Sequence, residues 1–181
     1  MLKVIDDIFD EESLEQIDGL FNGLSNSAVW TTNGGLFPSY INQNPGCVLV
    51  HMLGQIYTDE IVKYFIEQDI FTRTPSFADG FLYIGYPGSS LSWHQDGHND
   101  FGGKRTAISV YLNKEWKDHW GGWFSYQDND EIKSIIPKYN RAVIMYEDYN
   151  HCTTVIANEA DRRFSFQLFF EKDALNLNYG K

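Results

Sequence analysis

The sequence predicts an α+β fold, a jelly roll backed by N-terminal helices. Three observations predict it. Helical periodicity is confined to the part of the chain before Phe71, and short β-rich runs separated by turn residues fill the remainder. Aromatic residues make up 16% of the 181 residues, a share that suits the strands of an antiparallel sandwich or barrel.

From Asp10 to Leu24, apolar Leu14, Ile17, Phe21 and Leu24 recur at helical spacing. Asp10, Glu11 and Glu12 open this stretch, where the partial positive charge of a helix N-terminus favours carboxylates. Ser25 to Gly46 is rich in Asn, Ser, Gly and Pro and reads as loop. A second amphipathic segment, from about Val48 to Ile66, carries Ile56, Ile61, Val62 and Phe65. Candidate strands follow at Phe81–Tyr86, Ala107–Leu112, Trp123–Tyr126, Ile132–Ile136, Ala142–Tyr146, Cys152–Ile156 and Phe164–Phe170. No internal repeat or linker divides them. The expectation is one domain over 1–181, with 1–75 as a helical and loop support region and 76–175 as the jelly-roll core; the length suffices to bury a core.

Composition mainly excludes. The hydrophobic fraction of 43% and charged fraction of 22% are those of a soluble globular chain. No run approaches the roughly 18 apolar residues that a membrane span needs. The start, Met1-Leu2-Lys3-Val4-Ile5-Asp6-Asp7, has no apolar signal-peptide core, so a cytoplasmic location is expected. Cys47 and Cys152 are too few for a disulfide framework and lack zinc-motif spacing. A net charge of −11 disfavours a nucleic-acid partner, because like charges repel and no basic patch localises binding.

The chemistry begins at Ser92-Trp93-His94-Gln95-Asp96-Gly97-His98, just after a candidate strand. In extended backbone, residues two apart point to the same side, so His94 and Asp96 can converge on one ion. Imidazole with carboxylate suits Fe(II) better than the thiolate sites of zinc or the oxygen cages of calcium. A third ligand is offered by His151, in Asp148-Tyr149-Asn150-His151; His98 is the alternative, completing a His-x-Asp-x-His pattern. In Arg162 to Phe170, polar Arg163, Ser165 and Gln167 alternate with apolar Phe164, Phe166 and Leu168. A guanidinium on the inside of a barrel needs an anionic partner, which the far carboxylate of a dicarboxylic acid supplies in bidentate fashion. A slip of one residue would put Arg162 there instead. Two histidines and one carboxylate leave three iron positions open, enough for a 2-oxo acid and dioxygen.

On His94-x-Asp96, His151 and Arg163-x-Ser165, the chain resembles the 2-oxoglutarate/Fe(II)-dependent dioxygenases of double-stranded β-helix fold. The prolyl hydroxylase branch, that of the hypoxia-sensing enzymes and their bacterial relatives, is the most similar. Tyr86-Pro87-Gly88, Arg105, Tyr111-Leu112-Asn113-Lys114-Glu115-Trp116, Gly121-Gly122 and Ile136-Pro137-Lys138 agree in order, so that the resemblance spans roughly Phe81 to Phe170. It implies His94, Asp96 and His151 as iron ligands, and Arg163, Tyr111 and Ser165 as the residues that bind 2-oxoglutarate. Arg105 stands where prolyl hydroxylases contact substrate backbone. The implied chemistry is hydroxylation of a C–H bond coupled to conversion of 2-oxoglutarate to succinate, with ascorbate as an optional reductant. Asp96 bears on the outcome, since halogenases of this family replace the carboxylate with a small residue.

The expected substrate is a prolyl or similar residue in a peptide or protein; the alternatives are a free amino acid or small metabolite, or a metal- and 2-oxoglutarate-binding jelly roll without catalysis. Leu91 departs from the pattern, standing where an aromatic residue is common. Tyr111 also reads as a core tyrosine, Tyr83 and Tyr86 as packing residues, His51 and His119 as structural or surface residues, and Cys152 as buried packing. Trp93 and Trp123 flank the expected site as candidate substrate contacts.

Overall fold

In a computed structural model of the protein, residues 2–27, 30–32, 48–96 and 105–179 are described. The loop expected from Ser25 to Gly46 lies mostly outside them, as do Cys47 and His98. In chain order the elements are β1 (Leu2–Ile5), α1 (Glu11–Ser27), β2 (Thr31–Thr32), β3 (Val48–Met52), α2 (Gln55–Glu67), β4 (Ala78–Gly85), β5 (Leu91–His94), β6 (Arg105–Tyr111), β7 (Phe124–Asp128), β8 (Glu131–Ile135), β9 (Ala142–Met145), β10 (His151–Thr153) and β11 (Arg163–Glu171). They form two antiparallel sheets: a seven-stranded one in the order β1-β9-β6-β11-β4-β3-β2 and a four-stranded one in the order β5-β10-β7-β8. This is the expected α+β jelly roll with helices against one sheet.

Alternation along the major sheet sorts side chains between two environments. Leu82, Ile84, Ile108, Val110, Phe166, Leu168 and Phe170 point outward and are sealed by Leu14, Ile17 and Phe21 of α1 and Ile61, Val62 and Phe65 of α2. Phe65 links the layers, its ring 5.0 Å from Phe9, 5.2 Å from Phe71 and 6.2 Å from Phe166. The inward residues, Val50, Phe81, Tyr83, Ala107, Tyr111 and Phe169, face the minor sheet across the space that holds the site. α1 starts where expected because Asp10 caps it: the Ser13 N–H donates to Asp10 Oδ1 at 2.8 Å.

Three expectations are corrected. The segment Val48–Ile66 is not one helix: Val48–Met52 is strand β3, paired with β4 from Val48↔Gly85 to Met52↔Phe81, and Gly54 then caps α2. Val48 and Val50 are buried on the inner face while Leu49 and His51 lie on the other, a period of two that the neighbouring helical pattern concealed. The region up to residue 75 is therefore more than helical and loop support, since it supplies β1, β2 and β3 to the major sheet. The strand expected at Cys152–Ile156 starts at His151 and ends at Thr153, because Ile156 leaves to bridge Gly121. No helix among the described residues is long and apolar enough to cross a membrane.

Candidate metal and 2-oxoglutarate site

The minor sheet brings together the three metal-ligand candidates. His94 ends β5 and His151 begins β10, and the two are direct cross-strand partners with ring centroids 4.3 Å apart. Asp96, two residues on, sits between them: Oδ1 is 3.6 Å from His94 Nε2 and Oδ2 is 3.7 Å from His151 Nε2. One ligand atom from each residue lies within 4.8 Å of the others, so the group could hold a metal ion.

The protonation pattern fits a metal. His94 Nδ1 is 2.6 Å from the Ser92 carbonyl and His151 Nδ1 is 2.9 Å from the Tyr149 carbonyl, each two residues back. A carbonyl only accepts, so Nδ1 donates in both rings, which leaves Nε2 facing Asp96 as the ring atom available to a metal. Phe124 stacks on His151 at 5.1 Å and 24°, fixing the ring plane. Burial opposes a charge on both rings. In His94 the adjoining Asp96 carboxylate outweighs burial and the pKa ends raised; in His151 burial dominates and the pKa ends lowered.

The cavity beside the triad has a volume of about 330 Å³. Arg163, Ser165, Gln167 and Phe169 of β11 line it, with Tyr111 and Arg105 of β6, while Phe166 and Leu168 of β11 are in the helix-side core. The alternation read from the sequence thus places Arg163, not Arg162, inside. Arg162 precedes the strand, its guanidinium 5.4 Å from the Phe164 ring. Arg163 is buried, its guanidinium carbon 4.9 Å from the Tyr111 ring centroid. Arg163 Nε and the Tyr111 hydroxyl are buried and make no hydrogen bond among the described residues. Burial raises the Tyr111 pKa, with Arg163 pulling it down, so the phenol keeps its proton as a donor. Two buried donors side by side, one cationic, fit a carboxylate; Ser165, cross-strand from Tyr111, adds a hydroxyl at the same level.

Arg105 occupies the other pole. It lies six residues from Tyr111 on the same face of β6, roughly 20 Å along the strand, and its guanidinium covers the Phe169 ring at 4.0 Å. Gly122, in the Gly121-Gly122 pair noted in the sequence, closes the Arg163 pole: a Cβ there would lie 3.0 Å from Arg163 Cδ and 3.2 Å from Trp116 Cζ2. Trp93 and Trp123 are not among the residues that line the cavity. Trp93 is 40% exposed, and the Trp123 indole donates to the Asp118 carbonyl. Tyr83 does line the cavity, whereas Tyr86 packs against the helix-side core. Cys152 is buried, and the His51 ring lies tilted at 51° to Trp30 with centroids 5.7 Å apart.

Comparison with known proteins places this arrangement. No curated protein matches the chain. The solved structures it resembles include a Pseudomonas putida prolyl-4-hydroxylase, with 13% identity, a TM-score of 0.69, and 94% of this chain and 91% of that one covered. A prolyl hydroxylase from Trichoplax adhaerens, in complex with a hypoxia-inducible-factor peptide fragment, has 14% identity and a TM-score of 0.74 over 95% and 84% of the two chains. HygX from Streptomyces hygroscopicus, with nickel, 2-oxoglutarate and hygromycin B bound, has 12% identity and a TM-score of 0.64 over 99% and 90%. These likenesses establish the jelly roll. The family profile of the 2OG-Fe(II) oxygenase superfamily matches residues 81–171, from β4 to the end of β11. The chain belongs to the 2OG-Fe(II) oxygenase superfamily and is a dioxygenase that uses Fe(II) and 2-oxoglutarate.

Proposed function

We propose that the enzyme hydroxylates a prolyl or similar residue in a peptide or protein, with His94, Asp96 and His151 holding iron. Arg163, Tyr111 and Ser165 bind the distal carboxylate of 2-oxoglutarate, and Arg105 contacts the substrate. The observation that carries this reading is the division of one cavity into two poles. Arg163 and Tyr111 form a donor pair for a carboxylate at one, the Arg105–Phe169 stack lies at the other, and the triad lines the same cavity.

When bound, Fe(II) and 2-oxoglutarate supply the oxidising power for C–H hydroxylation, with succinate and carbon dioxide as the co-products. The residues do the binding and orienting. Arg163 neutralises the distal carboxylate, Tyr111 donates to it, and Ser165 supplies a further hydrogen bond. The Ser92 and Tyr149 carbonyls hold the two imidazoles in the ligating tautomer. Asp96 retains the carboxylate that halogenation would require to be absent, which supports hydroxylation. Arg105, spread over Phe169, offers donors to substrate carbonyl groups beside an aromatic surface that suits a pyrrolidine ring.

A second reading, hydroxylation of a free amino acid or small metabolite, draws support from the likeness to the hygromycin-bound HygX structure. Mass spectrometry separates the two. A peptide library and a panel of free amino acids are incubated with enzyme, Fe(II), 2-oxoglutarate and ascorbate, and products heavier by one oxygen atom are sought. Oxygen on peptidyl proline supports the first reading; oxygen only on free amino acids replaces it with the second. Absence of succinate under every condition refutes both.

A further inference from the structure

Two hydrogen bonds among the described residues join the His94-x-Asp96 segment to the turn that launches His151, and both converge on Asp148. The backbone N–H of Asp96 donates to Asp148 Oδ1 at 3.0 Å, across 52 residues of sequence. The side-chain amide of Gln95 donates to the Asp148 carbonyl at 2.9 Å. Asp148 stands on a supported turn. The Gln127 N–H of β7 donates to the Asn150 carbonyl at 2.9 Å, the Tyr149 N–H donates to the Glu147 carbonyl at 2.9 Å, and the Tyr149 ring meets Tyr126 edge-on at 5.5 Å.

We propose that Asp148 is a positioning residue for the metal triad, fixing the backbone of Asp96 so that its carboxylate reaches both imidazoles, with Gln95 completing the bracket. This rests on the reading of His94, Asp96 and His151 as the iron ligands. Asp148 contributes no ligand atom to the group of three. Its effect reaches the metal through the Asp96 main chain. Asp96 follows the last residue of β5 by two positions, beyond the ladder that fixes His94, so this contact bears on its placement where strand pairing does not. The bracket also ties that placement to the turn carrying the Tyr149 carbonyl that orients His151. One acidic residue thereby couples two ligands from distant parts of the chain.

The test compares Asp148→Ala, Asp148→Asn and Gln95→Ala with the wild-type chain, without substrate. The readouts are Co(II) affinity by chelator competition, the visible Co(II) absorption bands, and melting of the metal-free protein. Asp148→Ala should weaken Co(II) roughly 10- to 100-fold, as loss of an outer-shell partner does, and alter the bands, while the metal-free melting temperature stays near wild type. Asp148→Asn keeps an oxygen acceptor at the same place and should recover most of the affinity. Wild-type affinity in Asp148→Ala overturns the proposal, as does an Asp148→Asn variant as weak as Asp148→Ala, which would assign the effect to charge. If Asp148→Ala does not fold, Gln95→Ala decides, since that side chain is exposed: weakening of roughly three-fold or more supports the bracket, and unchanged affinity overturns it. A wild-type protein that binds no Co(II) overturns the triad assignment itself, a different outcome from tight binding that ignores Asp148.

Discussion

Replacing Arg163 with alanine should uncouple 2-oxoglutarate binding from metal binding. Arg163 is 8% exposed, its guanidinium is packed over the Tyr111 ring, and its buried Nε makes no hydrogen bond among the described residues. Its pairing with a carboxylate would be desolvated, and truncating one partner of such a pair costs on the order of 2–5 kcal/mol. At about 1.4 kcal/mol per decade, that corresponds to roughly 30-fold to several-thousand-fold weaker 2-oxoglutarate binding. Metal affinity measured without 2-oxoglutarate should stay close to wild type, because Arg163 is not one of the three ligand candidates. Isothermal titration of Mn(II), then of 2-oxoglutarate into the Mn(II)-loaded protein, measures the two steps separately. Arg162→Ala is the control and should leave both unchanged. If Arg163→Ala binds 2-oxoglutarate within a factor of a few of wild type, the carboxylate pole is misassigned; if Arg162→Ala shows the loss, the inside and outside of β11 have been exchanged.

Gly122→Ala should act on the same pole from behind. Gly122 has φ +64, and an added Cβ would press on Arg163 Cδ, Trp116 and Ile156. The left-handed backbone alone costs about 1–2 kcal/mol, so a lower melting temperature should accompany a raised KM for 2-oxoglutarate. Phe166→Ala, at the junction of both helices with the major sheet, removes a ring that is 1% exposed and should cost about 3–5 kcal/mol in urea denaturation. Asp6 ties the end of β1 to Arg141, with a 2.9 Å bond to Nη2, and to Lys138 at 3.1 Å. Hydrogen bonding to Arg141 lowers its pKa from 3.8 to about 2. The folded pKa lies below the unfolded one, so this stabilisation is present above pH 3.8 and is lost as pH falls toward 2. The pair is partly exposed, so Asp6→Asn should lower the melting temperature only modestly at neutral pH and less still in high salt. The gap from wild type should close in acid.

Sequence alone made β11 legible because both of its faces are buried but differ in kind. Arg163, Ser165 and Gln167 face a cavity while Phe166, Leu168 and Phe170 face the helices, so polarity alternates with the period of a strand. The grouping of His94, Asp96 and His151 was legible because His94 and Asp96 are two residues apart in extended backbone and His151 stands at the mouth of a recognisable strand. β3 was not, because its apolar alternation runs without a break in hydrophobicity into the apolar face of α2, and Gly54 is the only punctuation. β1 was missed because four residues carry too little pattern; its place is fixed by pairing with β9, from Leu2↔Met145 to Ile5↔Ala142. The structural roles of Asp148 and Gly122 could not have been read from residue type. The first acts through a neighbour's main-chain N–H and the second through the absence of a side chain, and both effects exist only once distant segments meet.

The cross-strand pairing of His94 with His151 would give a metal bound there a mechanical part. β5 has four residues and β10 three, so the ladder between them is short and its register is interrupted after the first pair. An ion held by His94, Asp96 and His151 would rivet this seam at its open end, joining segments that the backbone alone holds weakly. Loading the site would then slow amide hydrogen exchange in β5 and β10 before it changed exchange in the major sheet. Chelation would then loosen the minor sheet at the end that carries the three residues, so that loss of the ion would take the shape of the site with it.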